Sequence, residues 1–202
     1  MRSIGGALLV VAWLAGASSA SAQETGTPAF KAPYRAFENH EFGGTLSDAE
    51  GIDYALEGYY RYGHGDQDFS IRGGYADAGG DADVQVLIGG DFRTKVLSYS
   101  DDFPLDGALT VGFGGIFGEG DDRYLLPIGL SLGRRFDMEG SSTTFVPYVH
   151  PTLVPSFGSG DDGVDFALGL GVDMRFSDSF AIRASGGLGD IEGVSIGAAF
   201  IR

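Results

Sequence analysis

"GVDFALGLGVDMRFSDSFAIR", residues 163–183, contains the alternation that decides the fold. Apolar side chains stand at every even position from Val164 to Phe176, and the odd positions between them are small or charged. A period of two residues is that of a β-strand with one apolar face. The short stretch "SDS", residues 177–179, then predicts a tight turn into the next antiparallel strand.

The same period recurs along the chain in segments of about nine to thirteen residues, each followed by a cluster of glycine, aspartate or serine. No apolar run after residue 22 approaches the roughly 20 residues that a membrane helix needs. Ten antiparallel strands are expected; if the first is only a lead-in, nine remain, and merged hairpins would leave an eight-stranded barrel. The predicted strands are 41–48, 51–63, 68–76, 84–97, 107–118, 124–136, 144–154, 164–176, 179–188 and 193–201.

The first 22 residues have the features of a cleaved secretory signal. Arg2 is followed by an apolar run over residues 7–14 and by small residues at 20–22. Such a segment is too short to cross a bilayer as a helix and is removed after its small-residue end. The predicted organisation is a signal peptide at 1–22, an N-terminal lead-in segment at 23–40 and a β-barrel at 41–202.

Composition excludes several classes of protein. A hydrophobic content of 43% is too high for a wholly disordered chain, and the absence of cysteine excludes a disulfide scaffold. The formal net charge of -15 argues against nucleic acid as a partner. The 35 glycines, which follow no collagen-like period, indicate an all-β chain with tight turns and crowded backbones.

The opposite face of each predicted strand combines charged residues with glycine and alanine. Two architectures fit this arrangement: a soluble sandwich or barrel with its apolar face inward, and a membrane barrel with its apolar face outward. A strand of thirteen residues is about 43 Å long and rises about 33 Å at a tilt near 40°, enough to cross an apolar band of about 25 Å. Small residues on the polar face also suit the interior of a narrow closed barrel. Both observations favour the membrane barrel.

Aromatic residues concentrate near both ends of the predicted strands, as the two interfaces of a membrane barrel require. If both termini lie on the periplasmic side, the denser aromatic group lies at that end. The acidic connections "ADAGGDAD", "GEGDDR", "PSFGSGDDG" and "GDIEG" then fall on the outer side. The longer connection "SYSDDFPLDG" falls on the periplasmic side.

In such a barrel the charged residues would line the lumen. An unpaired buried charge is costly, so each is expected to meet a partner of opposite sign. A thin water path for ions or small solutes, left by the glycine- and alanine-rich stretches, is the alternative. The predicted lumen charge network consists of Asp53, Glu57, Arg61, Arg72, Asp91, Arg93, Lys95, Arg135, Asp173, Arg175 and Arg183.

Three prolines fall inside predicted strands: Pro127, Pro147 and Pro151. Proline has no N–H to donate to a β-ladder. We therefore expect these residues at bulges, or where the missing N–H would point out of the pairing.

These features resemble those of small Gram-negative outer-membrane β-barrel proteins, in particular the opacity-protein and OmpX-like porin group. The resemblance rests on the small-residue signal end, the alternating strands and the final "GVSIGAAFIR" (193–202), and it covers the mature chain. It implies an architecture rather than an activity. In this group the barrel assembly machinery reads an aromatic residue at the end of the last strand; here Phe200 is followed by two more residues.

The sequence offers few candidates for catalysis or metal binding. His40 and His64 lie near predicted turns, and His150 is followed by Pro151 and Thr152 instead of the closely spaced serine of a lipid A deacylase. The paired aspartates have neither zinc-site spacing nor the order of a calcium loop. We expect no enzymatic activity, no cofactor and no metal.

The predicted function is that of an outer-membrane β-barrel with a structural or narrow porin-like role. Its partners would be outer-membrane lipid and, during biogenesis, the barrel assembly machinery, and we expect a monomer. The alternative is an exported, soluble lipocalin-like barrel that binds an apolar ligand inside. The direction in which Leu168 and Leu170 point would favour one or the other.

Overall fold

All the regular secondary structure in the described part of the chain is β-strand. The computed structural model describes residues 24–34, 40–78, 84–118, 122–159 and 162–202. Within these residues no helix is long and apolar enough to cross a membrane. The strands are β1 (His40–Ala49), β2 (Ile52–His64), β3 (Gln67–Asp77), β4 (Val84–Leu97), β5 (Asp106–Phe117), β6 (Arg123–Leu125), β7 (Ile128–Gly133), β8 (Phe136–Asp137), β9 (Thr144–Gly158), β10 (Gly163–Ser177), β11 (Phe180–Gly189) and β12 (Gly193–Ile201).

These strands close into an antiparallel up-and-down barrel with ten wall positions. β6, β7 and β8 lie end to end and share one position between β5 and β9. The last strand pairs with the first, from Glu41 opposite Ile201 to Ala49 opposite Gly193. The predicted fold class and the ten-strand count are confirmed, and the weakest predicted strand, the first, is β1.

The barrel has two ends, which we name by their contents. The terminal end contains His40, at the start of β1, and Arg202, and these two residues bond each other through their backbones at 3.0 and 3.3 Å. The loop end, opposite, contains the β1–β2 turn and the β11–β12 turn. The short "SDS" turn and the longer "SYSDDFPLDG" connection both lie at the terminal end, as predicted. The predicted signal peptide, 1–22, lies outside the described residues.

The sixth wall position differs from the prediction of one strand over 124–136. It is interrupted at residues 126–127 and again at 134–135. Leu126 donates its N–H to the carbonyl of Pro155 at 2.9 Å, and Arg134 donates to the carbonyl of Pro147 at 3.3 Å. Both prolines therefore face this strand but have no N–H to return. Each break thus lies opposite a proline of β9 that offers no donor, and the first break also contains Pro127.

Pro127 stands in the first break, as predicted for a proline that cannot join a ladder. Pro147 and Pro151 lie inside the continuous strand β9, and the backbone of Pro147, with its missing N–H, faces the break at 134–135 and not β10. Both still pair with β10 on their other side, where Pro147 is opposite Val172 and Pro151 opposite Leu168. Their missing N–H groups therefore weaken the pairing of β9 with β7.

The apolar face of each wall strand points outward and the polar face points into the lumen. On β10, Val164 is 65% exposed, whereas its neighbour Asp165 is 7% exposed. Leu168 and Leu170 share the outward face with Val164, and Leu170 is 42% exposed. Large exposed apolar side chains occur at all ten wall positions.

Two rings of aromatic side chains lie on the outside, one near each end, and the ring at the loop end is incomplete. At the terminal end Phe42 contacts Tyr60, with ring centres 5.0 Å apart, and Phe136 stacks on Phe145 at 5.3 Å. The same ring continues through Phe176, Phe180 and Phe200. At the loop end the ring runs from Tyr54 and Tyr75 to Phe117, Tyr124 and Phe157. Aromatic residues therefore lie at both ends of the strands, as the sequence predicts.

The barrel is narrow. Ten strands about 4.8 Å apart, at a tilt near 40°, give a circumference of about 63 Å and a backbone diameter of about 20 Å. Side chains from opposite walls and one extended peptide are enough to fill such a lumen.

Candidate functional site in the lumen

The first group of luminal charges joins β2, β3 and β4. Arg61 Nη2 lies 3.1 Å from Asp91 Oδ1, and Arg61 Nε lies 3.3 Å from Asp68 Oδ1. Arg93 Nε is 2.8 Å from the other oxygen of Asp68, and Ser70 donates to Asp91. All five residues are buried. Each arginine here meets carboxylates of neighbouring strands, because inward positions on adjacent strands stand side by side.

A second group joins the first and last parts of the chain. Arg183 binds both oxygens of Glu41, at 2.6 and 2.7 Å, in the bidentate geometry that arginine makes with a carboxylate. Its Nε lies 3.0 Å from Asp173, and it also donates to Tyr59. This group bonds β10 and β11 to β1 and β2 across the closure of the barrel.

Arg72 forms the third group. Its Nε lies 3.2 Å from Glu57, one amino group lies 3.5 Å from Glu24, and the other donates to Thr45 at 3.3 Å. Glu24 does not belong to the wall. It belongs to residues 24–34, which lie inside the barrel.

Seven of the eleven residues predicted for the network are brought together in these groups, and four are not. Asp53 is exposed at the loop end. Lys95 lies at the terminal end, 3.0 Å from Asp106, while Arg135 and Arg175 bind Asp137 and Asp178 near the terminal-end turns. The alternation along a strand predicts which face a residue occupies, but not its position along the barrel axis. The four residues near strand ends therefore lie outside the network. The residues that join the network are Glu57, Arg61, Arg72, Asp91, Arg93, Asp173 and Arg183.

Sequence reasoning missed several partners. Glu41 and Asp68 lie on inward positions of β1 and β3, so the same parity rule could have identified them. Glu24 and Lys31 lie in the lead-in segment, which has no β-period. No local sequence signal indicates that this segment lies inside the barrel.

Residues 24–34, which we call the luminal segment, occupy the middle of the lumen. Residues 24–33 are buried, and Tyr34 is partly buried. At the terminal end Tyr34 donates to Asp106, and Lys95 lies 5.8 Å from the Tyr34 ring. From there the chain runs inward and folds back, so that Lys31 Nζ binds Glu24 at 2.5 Å and Asp91 at 3.1 Å.

Side chains of the wall hydrogen-bond the backbone of the luminal segment along its length. Ser185 donates to the carbonyl of Pro28 at 2.7 Å and accepts the N–H of Phe30 at 3.2 Å. Tyr148 donates to the carbonyl of Phe30 at 2.8 Å. Two further bonds are made by Ser131, to the carbonyl of Lys31 at 2.5 Å, and by Arg93, to the carbonyl of Ala32.

Glycines of the wall make room for this segment. A methyl group added at Gly169 would collide with the ring of Phe30, and one added at Gly187 would lie 3.1 Å from it. At Gly89 an added methyl would lie 2.9 Å from the side chain of Glu24, and at Gly114 it would collide with the Glu24 backbone. The glycine-rich inward face predicted from the sequence is therefore the surface that contacts the segment.

His150 is buried against the luminal segment. Its Nδ1 accepts the N–H of Lys31 at 3.4 Å, so its proton lies on Nε2, which is 2.8 Å from Thr110 Oγ1. The ring of Phe30 contacts the imidazole edge-on, with centres 5.8 Å apart. Both ring nitrogens are thus engaged, Nδ1 with the segment and Nε2 with the wall. His40 and His64 lie at the terminal end, where His40 bonds the hydroxyl of Tyr60 at 2.9 Å.

Toward the loop end the lumen becomes apolar. Ile191, from the β11–β12 turn, is 2% exposed and packs with inward side chains of the wall. We call this group the apolar cap. Its members are Ala55, Ala76, Leu87, Ile116, Leu125, Val154, Ala167 and Ile191.

Little space remains around the luminal segment. A cavity of about 40 Å³ lies between the segment and the arginine-rich wall, and others of about 30 and 10 Å³ lie nearby. Such volumes hold a few water molecules at most. Among the residues that the structure describes, no three His, Asp or Glu side chains converge as a metal site. A scan of the sequence against models of known protein families and a search of curated proteins both found no match.

Proposed function

We propose that the mature chain is an outer-membrane β-barrel protein with a structural role, its apolar face in lipid and its lumen closed. The observation that carries the proposal is the direction of the strand faces. Apolar side chains as large as Phe200, 63% exposed, and Val194, 62% exposed, cover the outside of the barrel, while arginines and carboxylates are buried within. An apolar belt on all sides is costly in water and favourable in hydrocarbon.

The height of the apolar belt supports the same proposal. On β10 the outward aromatic residues nearest the two ends are Phe166 and Phe176, ten positions apart. At about 3.3 Å per residue and a tilt near 40°, they are separated by about 25 Å along the barrel axis. That distance matches the apolar band of an outer-membrane barrel, which is about 25 Å tall and is flanked by aromatic residues.

A closed lumen also supports this function over a porin or a ligand carrier. The cavities that the luminal segment lines are no larger than about 40 Å³, which favours a closed lumen over a continuous water path through the described residues. A soluble lipocalin-like barrel, the alternative, needs an apolar cavity for its ligand. Here the middle of the lumen holds ion pairs and a peptide segment instead.

The remaining parts of the proposal concern export and assembly. The predicted signal peptide at 1–22 would direct the chain across the inner membrane, and the last strand, β12, would be read by the barrel assembly machinery as in the opacity-protein and OmpX-like group. Phe200 lies in the terminal-end aromatic ring, beside Phe180 at 5.6 Å. A non-catalytic role is favoured, because His150 is buried and both its ring nitrogens are occupied.

The test is a depth series of arginine substitutions on one strand. Leu170 lies near the middle of the apolar belt. With the same rise per residue and the same tilt, Val164 lies about 15 Å from it along the barrel axis, close to the loop end. In a membrane barrel, Leu170→Arg is expected to cost about 2–4 kcal/mol and Val164→Arg about 0–1 kcal/mol. Stability is measured by urea unfolding of protein refolded into lipid vesicles, with vesicle flotation as the measure of insertion.

Leu170→Gln serves as the matched control, because it removes the same apolar side chain without adding a charge. If Leu170→Arg and Val164→Arg have the same small effect, or if the mature protein stays monomeric and soluble without detergent, the membrane proposal is refuted.

A further inference from the structure

We propose that the lumen beneath the apolar cap is a peptide-binding pocket open at the terminal end, and that the luminal segment is its intramolecular ligand. The ligand class is a short peptide with an aromatic residue followed by lysine, like Phe30-Lys31. A free peptide of this class would compete with the segment for the pocket. The pocket itself does not depend on the proposed function. Only the side of the membrane from which a ligand arrives rests on it.

The first step is that the wall is complete without the segment. β1 pairs with β12 over nine residue pairs and with β2 on its other side, so the ladder closes without the help of residues 24–34. Within the described residues, the backbone-to-backbone bond of the segment is internal, from Phe30 N–H to the Pro28 carbonyl at 3.0 Å. The segment is therefore bound by the wall in the manner of a ligand and is not a strand of it.

The second step concerns how the wall recognises the segment. Ser131, Tyr148, Ser185, His150 and Arg93 all bond its main chain. Bonds to main-chain atoms hold a peptide whatever its side chains, while pockets for individual side chains add specificity. The middle of this lumen supplies bonding groups to the main chain of residue 28 and of residues 30 to 32.

The third step identifies two such side-chain pockets. The ring of Phe30 lies over Gly169, where an added methyl group would collide with it, beside Gly187 and against the edge of His150. The ammonium group of Lys31 lies 3.1 Å from Asp91 on the wall. Together they select an aromatic residue followed by a cation.

The fourth step is that the charges of the wall remain paired when the segment leaves the pocket. The segment contributes one anion and one cation, Glu24 and Lys31, so its removal does not change the net charge of the lumen. Without it, Arg61 keeps Asp68 and Asp91, and Arg72 keeps Glu57. Water entering from the terminal end then solvates the wall groups that had bonded the segment.

The fifth step gives the direction of entry. Tyr34 lies at the terminal end beside Asp106, and residues 35–39 connect it to the start of β1 at the same end. The other end of the pocket is closed by the apolar cap. Because the tether is short, the segment acts at an effective concentration on the order of millimolar, so a free peptide must compete at a similar concentration.

The first experiment uses the full mature chain with Glu24→Cys and Gly89→Cys. A Cβ at position 89 would lie 3.0 Å from that of Glu24, so a shift of less than about 1 Å reaches the usual disulfide separation of about 3.5–4.5 Å. The chain has no native cysteine to interfere. In the reduced form the segment has also lost the Glu24 carboxylate that holds Lys31 and Arg72.

The probe is a fluorescent synthetic peptide with the sequence of residues 24–34, titrated to millimolar concentration and followed by anisotropy. We expect saturable binding to the reduced protein and loss of that binding on oxidation. The two single-cysteine variants are controls and should not respond to oxidant. Equal peptide binding in the oxidised and reduced double variant, or none in either, refutes the proposal.

The second experiment deletes residues 24–34, which removes the competing segment. Where this variant keeps the gel mobility and far-UV circular dichroism of the folded barrel, it should bind the peptide more tightly than the full chain does. A peptide carrying Lys31→Glu, or a scrambled sequence, should bind weakly. Equal binding of the scrambled peptide overturns the ligand assignment, and a deletion variant that does not fold leaves the cysteine pair to decide.

These results separate the pocket from the membrane proposal. Peptide binding is measured in detergent micelles and flotation in vesicles, so a barrel that binds the peptide but does not float contradicts only the proposed function. A barrel that floats but never binds the peptide contradicts only the pocket.

Discussion

Replacing Arg61 by methionine tests whether the luminal ion pairs stabilise the barrel. Arg61 is 4% exposed and lies 3.1 Å from Asp91 and 3.3 Å from Asp68. Methionine has a similar apolar stem but no charge, so the substitution leaves two buried carboxylates with one cation fewer between them. The matched control is Arg135→Met, at an arginine whose partner Asp137 is exposed.

The expected loss can be worked from these distances. One pair of charges 3.1 Å apart interacts by about 5 kcal/mol at an effective dielectric constant of about 20. Breaking a buried pair by removing one partner typically costs about 3–5 kcal/mol. Lys31 still lies 3.1 Å from Asp91, and Arg93 2.8 Å from Asp68, so we expect about 3 kcal/mol, the lower end of that range. Arg135→Met should cost about 0–1 kcal/mol.

The assay is urea unfolding in detergent micelles, followed by far-UV circular dichroism and by gel mobility. Tryptophan fluorescence is unsuitable for the mature chain, because Trp13, the one tryptophan, belongs to the predicted signal peptide. Adding Asp91→Asn to Arg61→Met removes the carboxylate left without its arginine. The double variant should therefore lose less stability than the sum of the two single variants, by at least about 1 kcal/mol.

Two results would refute this reasoning. One is a loss below about 1 kcal/mol for Arg61→Met, equal to that of the exposed control, since this would mean that water solvates the network freely. The other is strict additivity in the double variant, since residues in one ion-pair network are expected to be coupled.

Two further variants test the seam and the wall glycines. Pro151→Val supplies an N–H opposite Leu130. Amide hydrogen exchange over residues 128–133, measured by mass spectrometry, should therefore slow by up to roughly tenfold. Unchanged exchange would contradict the explanation that the prolines of β9 weaken its pairing with β7. Gly169→Leu should displace Phe30 and make the luminal segment accessible to protease, whereas Gly58→Leu on the outward face should not; equal cleavage of both variants would contradict the assigned contact.

The candidate site was predicted in part, and the parts that failed have identifiable causes. Strand parity correctly placed Arg61, Asp91 and Arg183 inside, because alternate side chains of a strand point to opposite faces. It also assigned Asp53 and Arg175 to the network, although both lie near strand ends. The height of a residue in a barrel depends on tilt and on register between strands, which alternation alone does not contain.

The broken sixth strand has a similar cause. Its own sequence alternates from Tyr124 to Leu132, and a single continuous strand was the reasonable prediction. The breaks come from Pro147 and Pro155 on β9, which face it across the sheet. A missing donor on a neighbouring strand becomes visible only when the pairing is known.

By itself the sequence determined the closed all-β barrel, the outward apolar face, the inward polar face and the two aromatic rings. The strands and their two faces follow from a period of two residues and from short turns, which are local properties, and the outward direction of the apolar face was favoured by strand length and by the small residues of the polar face. Only the tertiary structure placed the luminal segment inside the barrel, joined Glu24 and Lys31 to the ion pairs of the wall and explained the inward glycines. Those contacts join residues far apart in the chain, such as Phe30 with Gly169, and their stability depends on closure of the wall around a segment that has no pattern of its own.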